Sequence, residues 1–347
     1  TGSQNFTRTA EPVDEIPLIV RGETNNGAWF ADDHLWLQNE DTNRLPDGVD
    51  RRTFSQLTGN AEPGPRSAKQ SLKSIRVRPG FTIELVASEP LTMDPVALDF
   101  GPDGKLWVVE MADYPLGLDD QGEPGGRVRY LEDLDGDGTY DKSTLFLDNI
   151  AYPTGVLAHG QGVIVSAAPS IFYAEDTDGD GTADLRTELY QGFGEGNQQH
   201  RVNGFERGLD NWIYLANGDS GGTIKSIQTD EVVDIHGQDL RIRPDTGAFD
   251  LQAGQTQFGR HRDDDGNWFG CNNSLPVRHY VHPAQYLRRN PFVPPAIPSR
   301  DIARLDNTQV FPISRVLSHW SGYVPPAAGS QHAYTSACST VVYRDNL

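Results

Sequence analysis

Methionine and cysteine are scarce, two of each in 347 residues, and lysine plus arginine total 29 against 49 aspartates and glutamates. The resulting formal charge of -20 repels phosphate backbones and leaves no basic stripe for a nucleic acid to follow, so nucleic acid is not an expected partner. No run approaches the ~18 apolar residues of a spanning helix, so no transmembrane segment is expected. No charged-then-apolar leader opens the chain, and the sequence beginning at Thr1 is expected to be a mature extracytoplasmic form, periplasmic or otherwise exported. Cys271 and Cys338 could form one disulfide or remain two buried thiols. There is no Cys-x-x-Cys-His run, which excludes covalent haem attachment to this chain by that route.

What is abundant points to sheets. Glycine (36) and proline (23) punctuate a chain well supplied with Tyr, Phe, Val and Ile, which favours many short strands over a helical bundle. The expected fold class is all-β. Residues 1–74 are rich in Asn, Asp, Thr, Pro and Gly, with one apolar run at residues 16–20, and are expected to form an irregular N-terminal extension that wraps the main domain. The main domain is placed at residues 75–347. It opens on "IRVRPGFTIELVASEP", whose alternation around Pro-Gly predicts a hairpin.

Two patterns then recur. "GPDGKLWVVE" and "GLDNWIYLAN" share a tight Asp-Gly or Asp-Asn turn leading into an aromatic strand, with "HGQGVIVSAA" a weaker copy between them. "RVRYLEDLDGDGTYDKSTLFLD" and "SIFYAEDTDGDGTADLRTELYQ" align throughout, Asp176 falling 43 residues after Asp133. A period of ~40–50 residues carrying several strands is that of a β-propeller blade, and about six blades are expected. "DLRIRPDTGAFDLQ" reads as a further hairpin, residues 267–298 as loop, and "HAYTSACSTVVYRDNL" as the start of a new strand. The propeller is therefore expected to be cut short at its C-terminal end.

In the repeated acidic loops, Asp133, Asp135, Asp137 and Asp141, and likewise Asp176, Asp178, Asp180 and Asp184, hold positions 1, 3, 5 and 9, with glycine at position 6. Alternate side chains of a tight loop can converge on one point, Thr139 and Thr182 can add a backbone carbonyl, and hard oxygen ligands in this number select Ca²⁺. Position 12 is Thr144 or Thr187 in place of the bidentate Glu of an EF-hand, so Glu132, Glu175 or water would complete each site. The alternative is an Asp-Gly turn whose carboxylates cap backbone N–H groups. With or without metal, the duplication marks a structural fixture of each blade.

The chemistry is sought in "GFGEGNQQHRVNGFERGLDNWIYLANGD", which sets Gln198, Gln199, His200, Arg201 and Asn203 just before a strand corner, where a propeller can line its channel mouth. A histidine beside an arginine suits a general base, because the neighbouring charge favours the neutral ring; the alternative is a His and an Arg that satisfy loop carbonyls.

These runs resemble a known family. "PGFTIELVASEPLTMDPVALDFGPDGKLWVVEMADYPLG", "FGEGNQQHRVNGFERGLDNWIYLANGDSGG", "RPDTGAFDLQAGQTQFGRHRDDDGNWFGCNNS" and "YLRRNPFV" are similar to the N-terminal propeller of membrane-bound dehydrogenase-like proteins of planctomycetes and related bacteria. In that family helical repeats and a c-type haem domain commonly follow. More distantly, the H-x-x-N-G and G-x-D-x-x-I-Y-x-x-x-G-D arrangement is similar to soluble quinoprotein glucose and sorbosone dehydrogenases. The resemblance implies oxidation of a sugar or alcohol hydroxyl, with His200 as base, a quinone (PQQ) as acceptor, and electrons passing to a cytochrome c domain or subunit. It implies Gln199, Arg201 and Asn203 as cofactor or substrate contacts and nominates Arg260, Arg262 and Asn272 for the cofactor, although His261 and three aspartates interrupt that cluster. The competing expectation is a non-catalytic calcium-binding propeller, a scaffold or glycan-binding module in a larger haem-bearing complex.

Overall fold

The computed structural model describes residues 66–290, 292, 297–303, 309–310, 332–333 and 337–344. Residues 1–65 of the expected extension lie outside the described residues. Its end is helical: α1 (Ala68–Ser74) is nucleated by a capping box, in which Ser67 Oγ accepts from Gln70 N–H and Gln70 Oε1 accepts from Ser67 N–H. The chain divides into two compact units, residues 1–66 with 309–333 and residues 67–308 with 334–347. In the first, the short pair β19 (Gln309–Val310) and β20 (His332–Ala333) is described.

The second unit is a β-propeller in which four blades are described. Blade 1 is the antiparallel meander β1 (Pro95–Phe100), β2 (Leu106–Glu110), β3 (Gly126–Glu132) and β4 (Lys142–Ile150). Blade 2 is β5 (Gly155–His159), β6 (Gly162–Ala167), β7 (Ser170–Glu175) and β8 (Leu185–Phe193). Blade 3 is β9 (Asn203–Arg207), β10 (Ile213–Ala216), β13 (Asp239–Arg243) and β14 (Ala248–Gln252). Between β10 and β13 the chain leaves blade 3, forms β11 (Gly222–Ser226) and β12 (Val232–Asp234), and pairs β11 with β8, giving blade 2 a six-stranded sheet. Blade 4 is β15 (Arg260–Arg262), β16 (Trp268–Asn272), β17 (Leu275–Tyr280) and β18 (Ser299–Asp301), with α2 (Ala284–Leu287) in its last connection. The first strands β1, β5, β9 and β15 contact one another in series, so they line the common axis.

The core lies between blades. In β6, Val163 and Val165 pack toward blade 1 with Trp107, Val109, Tyr130 and Phe146, while Ile164 packs toward blade 3 with Ile213, Leu215 and Leu240. A strand covered on both faces reads as an unbroken apolar run, which accounts for "LWVVE" and "GVIVSA", all of whose residues are buried. The outer strands β4 and β8 are covered less and carry the charges.

The inner hairpins of blades 1, 3 and 4 turn on a five-residue corner closed by an N–H to C=O bond, Gly101 to Lys105, Gly208 to Trp212, and Asp263 to Asn267, whereas that of blade 2 turns on two residues, Gly160 and Gln161. The fourth corner residue has positive φ and is Gly104, Asn211 or Gly266, residue types that tolerate it. The sequence reading found the first two corners. It missed the third because three aspartates mask the motif.

Two expectations are corrected and a third is met only at its start. Residues 75–90 form no hairpin; Ala87 and Leu91 instead cover Leu106, Val108 and Leu131 of blade 1, and Ile75, Val77 and Phe81 stay exposed. Residues 267–298 are not loop throughout, since β16 and β17 alternate across a two-residue turn at residues 273–274. The stretch expected to start a new strand does so at β20 (His332–Ala333), and residues 337–344 contain no strand, although Ala337 N–H bonds to Asn273 O at 3.1 Å. Both cysteines are free thiols, Cys271 buried and Cys338 exposed; burial pushes the Cys271 thiol up from its ordinary range.

Candidate functional site

Antiparallel alternation puts the β2–β3 loop and the segments leading into β5, β9 and β15 at one end of the blades. The inner corners and the acidic loops lie at the other. His200 is at the first end, closing a 3₁₀ turn (Gln198–His200) capped by Asn197. Side chains of the same turn reach across to blade 1: Gln199 Nε2 donates to Tyr114 Oη at 2.7 Å and Gln198 Nε2 to Pro115 O at 3.1 Å.

The half-buried ring of His200 lies edge-on to Phe258, and its Nε2 is 2.7 Å from Gln257 Nε2. Gln257 is 2% exposed, and its Oε1 accepts from Asn273 N–H at 2.8 Å. That acceptor role fixes the amide, so its nitrogen must donate to His200 Nε2, and the proton of the neutral ring sits on Nδ1. Among the described residues nothing hydrogen-bonds to Nδ1. Asn203 holds the frame: it donates to Arg201 O and Gln257 O and accepts from Gly259 N–H. Gly218 permits close approach, since a Cβ there would stand 2.0 Å from Arg201 O.

Arg201 is 6% exposed, donates to Glu195 O at 3.0 Å and lies over the Tyr152 ring; burial lowers its pKa from the ordinary value. Its Nε and the Oδ1 of buried Asp113 lack partners among the described residues. The other Asp113 oxygen accepts from Tyr152 N–H at 2.7 Å.

The remaining nominated residues are elsewhere. Strand alternation in β15 points Arg260 and Arg262 the same way, into the space between blades 3 and 4. Arg260 is 2% exposed, paired with Asp239 at 2.7 Å and surrounded by Tyr214, Trp268 and Tyr280. Arg262 donates to Arg207 O and Asp263 O. Asn272 Oδ1 accepts from Ser274 and Leu275 N–H within its own turn. A carboxylate-bearing fused-ring quinone needs cationic donors converging on one flat site. These six residues do not converge, so the set read from the sequence does not fit that group.

The acidic loops join β3 to β4 and β7 to β8, at the end away from His200. Their hydrogen bonds are copies: Asp133 accepts from Gly136 and Gly138 N–H, Asp176 from Gly179 and Gly181; Asp135 and Asp178 each accept from the N–H two residues on, as do Asp137 and Asp180 from Thr139 and Thr182; Asp141 accepts from Leu134 and Asp184 from Thr177. These N–H groups hold Asp133 and Asp176 below the usual carboxylate range. Carboxylate oxygens of Asp133, Asp135 and Asp141, and of Asp176, Asp178 and Asp180, gather within 4.8 Å of one another. Glu132 and Glu175 are engaged elsewhere, with Lys142 and with the Tyr173 hydroxyl. Each loop also docks backward, Tyr140 N–H bonding to Val86 O and Ala183 N–H to Phe146 O of blade 1.

Residues 67–347 match the family described as "Domain of unknown function (DUF7133)". The chain belongs to this family. No curated protein matches it. Solved structures similar to this DUF7133 chain include a luciferin-regenerating enzyme, at 9% identity over 56% of this chain and 57% of that one, TM-score 0.37. Others are the PQQ domain of pyranose dehydrogenase from Coprinopsis cinerea (18% identity, 55% and 48% covered, TM-score 0.36) and PQQ-bound aldose sugar dehydrogenase from Streptomyces coelicolor (14% identity, 72% and 71% covered, TM-score 0.37). The DUF7133 chain spans about half the length of the first two.

Sequence reasoning missed Gln257, Asn273 and Tyr114. One signal was present: "AGQTQFG" leads into β15 as "GNQQHRV" leads into β9, so matching the lead-in segments would have paired Gln257 with His200.

Proposed function

We propose that this DUF7133 propeller is of dehydrogenase type and binds a sugar or alcohol hydroxyl at the His200 end of its channel. The observation that carries the reading is the bond from Gln257 to His200, which presents Nδ1–H of a neutral imidazole in a setting of carboxamides and a phenol. Neutral donors and acceptors of this kind suit hydroxyl groups and offer little to phosphate. To take a hydroxyl proton at Nε2, His200 must first lose the Gln257 N–H, so base chemistry here is coupled to rotation of that amide. No step is assigned to the quinone, because Arg260 and Arg262, nominated for it, lie on the cavity between blades 3 and 4, whose walls do not include His200. A quinone acceptor, a cytochrome c domain or subunit as electron partner, and an extracytoplasmic location belong to this reading through the resemblance of the motifs.

Calcium also belongs to it, in a structural role. The backbone N–H bonds use only part of each carboxylate's acceptor capacity, and the clustered oxygens remain able to receive a cation that pins each loop to the element before it. Calcium is expected to raise the melting temperature and chelation to lower it; a melting temperature indifferent to both would remove the metal from the reading.

The functional test is calorimetric titration with glucose and simple polyols, with dye reduction measured with and without added PQQ. Binding that His200→Ala weakens at least tenfold is expected, and turnover lost in the same variant would establish oxidation. Hydroxyl ligands that bind the parent and His200→Ala equally would overturn the site. Binding without turnover under any acceptor would leave the glycan-binding alternative standing in place of the enzyme.

A further inference from the structure

The contact between blades 3 and 4 is built unlike the other two. Apolar side chains fill the spaces between blades 1 and 2 and between blades 2 and 3. Between blades 3 and 4 lies a cavity of about 380 Å³, walled by charged and aromatic groups, among them Arg241, Arg260, Arg262, Tyr214, Trp268 and His282. The inner corners of both blades, at Asp210 and at Gly266 and Asn267, also line it, so it opens at the end remote from His200.

Its charges do not cancel. Arg241 is matched by Asp210 and Asp250, Asp250 also holds Arg288, and Arg260 is matched by Asp239. Arg262 faces no carboxylate within salt-bridge distance among the described residues and spends its bonds on two backbone carbonyls. Arg260 Nε, on a side chain 2% exposed, has no partner among the described residues. Arg260 Nε is sealed from the cavity, but Arg262 on its wall is an uncompensated charge in partly buried surroundings, which an anion would relieve.

The geometry points to a binding site for a compact polyhydroxylated carboxylate, such as a sugar acid, in the cleft between blades 3 and 4. Arginine's planar fork matches a carboxylate in two bonds. Asn267, Gln252 and His282 on the walls supply the hydroxyl partners. His282 makes no side-chain hydrogen bond among the described residues, so it is free to do so. The volume accommodates a ligand of monosaccharide size and excludes a polymer threaded through it.

The experiment is isothermal titration of the full chain with glucuronate, using glucose as the uncharged counterpart. One glucuronate site that does not depend on His200 is expected, with glucose at least tenfold weaker when both are titrated into the His200→Ala chain. Arg262→Gln and, independently, His282→Ala should weaken glucuronate severalfold or more at unchanged circular dichroism; His282→Ala keeps the test open should Arg262→Gln fail to fold. His200→Ala should leave glucuronate binding as it was. Absent binding, equal affinity for glucose in the His200→Ala chain, or loss of glucuronate binding in His200→Ala would each overturn the cleft assignment. The last outcome would move the ligand to the channel mouth, which separates failure of this site from failure of the other.

Discussion

The tautomer of His200 rests on one amide. Gln257 can donate to Nε2 only because its oxygen is spent on Asn273 N–H. Gln257→Glu replaces the donor with a second acceptor, so His200 should move its proton to Nε2 and leave the lone pair on Nδ1, the nitrogen without a protein partner. Imidazole ¹⁵N shifts read this directly, and an unchanged spectrum would show that the amide does not set the tautomer. Gln257→Leu should give a mixture of tautomers and cost about 1–3 kcal/mol, because Asn273 N–H loses its acceptor. His200 was legible in the sequence because a histidine in a glycine-rich lead-in is conspicuous. Gln257 was not: the two are brought together from 57 residues apart, and one loop glutamine looks like another until the blades are assembled.

Among elements, the hairpin β11–β12 crosses from blade 3 to close the outer edge of blade 2. Ile224 and Ile235 carry it into the apolar space between those blades and are fully buried. Ile224→Ala should cost about 2–5 kcal/mol. Hydrogen exchange should show the amides of β8 and β11 opening together, since one ladder joins them across two blades. Exchange of β11 independent of β8 would mean that the hairpin is only an ornament of blade 3. The repeats revealed that blades exist, because corner and acidic loop recur with little change. This crossing was hidden, since "TIKSIQTDEVVD" reads as a hairpin whichever sheet receives it.

Across the whole molecule the excess of acidic groups makes stability depend on how carboxylates are offset. Hydrogen bonds to Asp133, Asp176 and Asp184 depress their pKa values below the ordinary 3.8. The stability they contribute is fully present above that value and is lost as pH falls through the lower folded values. The melting temperature should therefore hold from pH 7 to about pH 5 and fall below about pH 4. A chain with both Asp133→Asn and Asp176→Asn should fall less steeply. If parent and variant fall alike, these loops do not contribute to acid stability.

Local chemistry settled much before any folding was considered. Unbroken apolar runs in buried second strands, positive-φ residues at the inner corners and a duplicated acidic loop all express short-range rules, so an all-β chain with repeated blades could be read from sequence alone. Which face Arg260 and Arg262 turn to, which glutamine meets His200 and which blade receives β11–β12 depend on groups distant in the chain. Arg260 shows why: the resemblance of its segment to a cofactor-contacting strand entry suggested a cofactor contact, but strand parity in β15 and burial against Asp239 turn it between the blades. Composition determines that an arginine is present, and packing decides what it can touch.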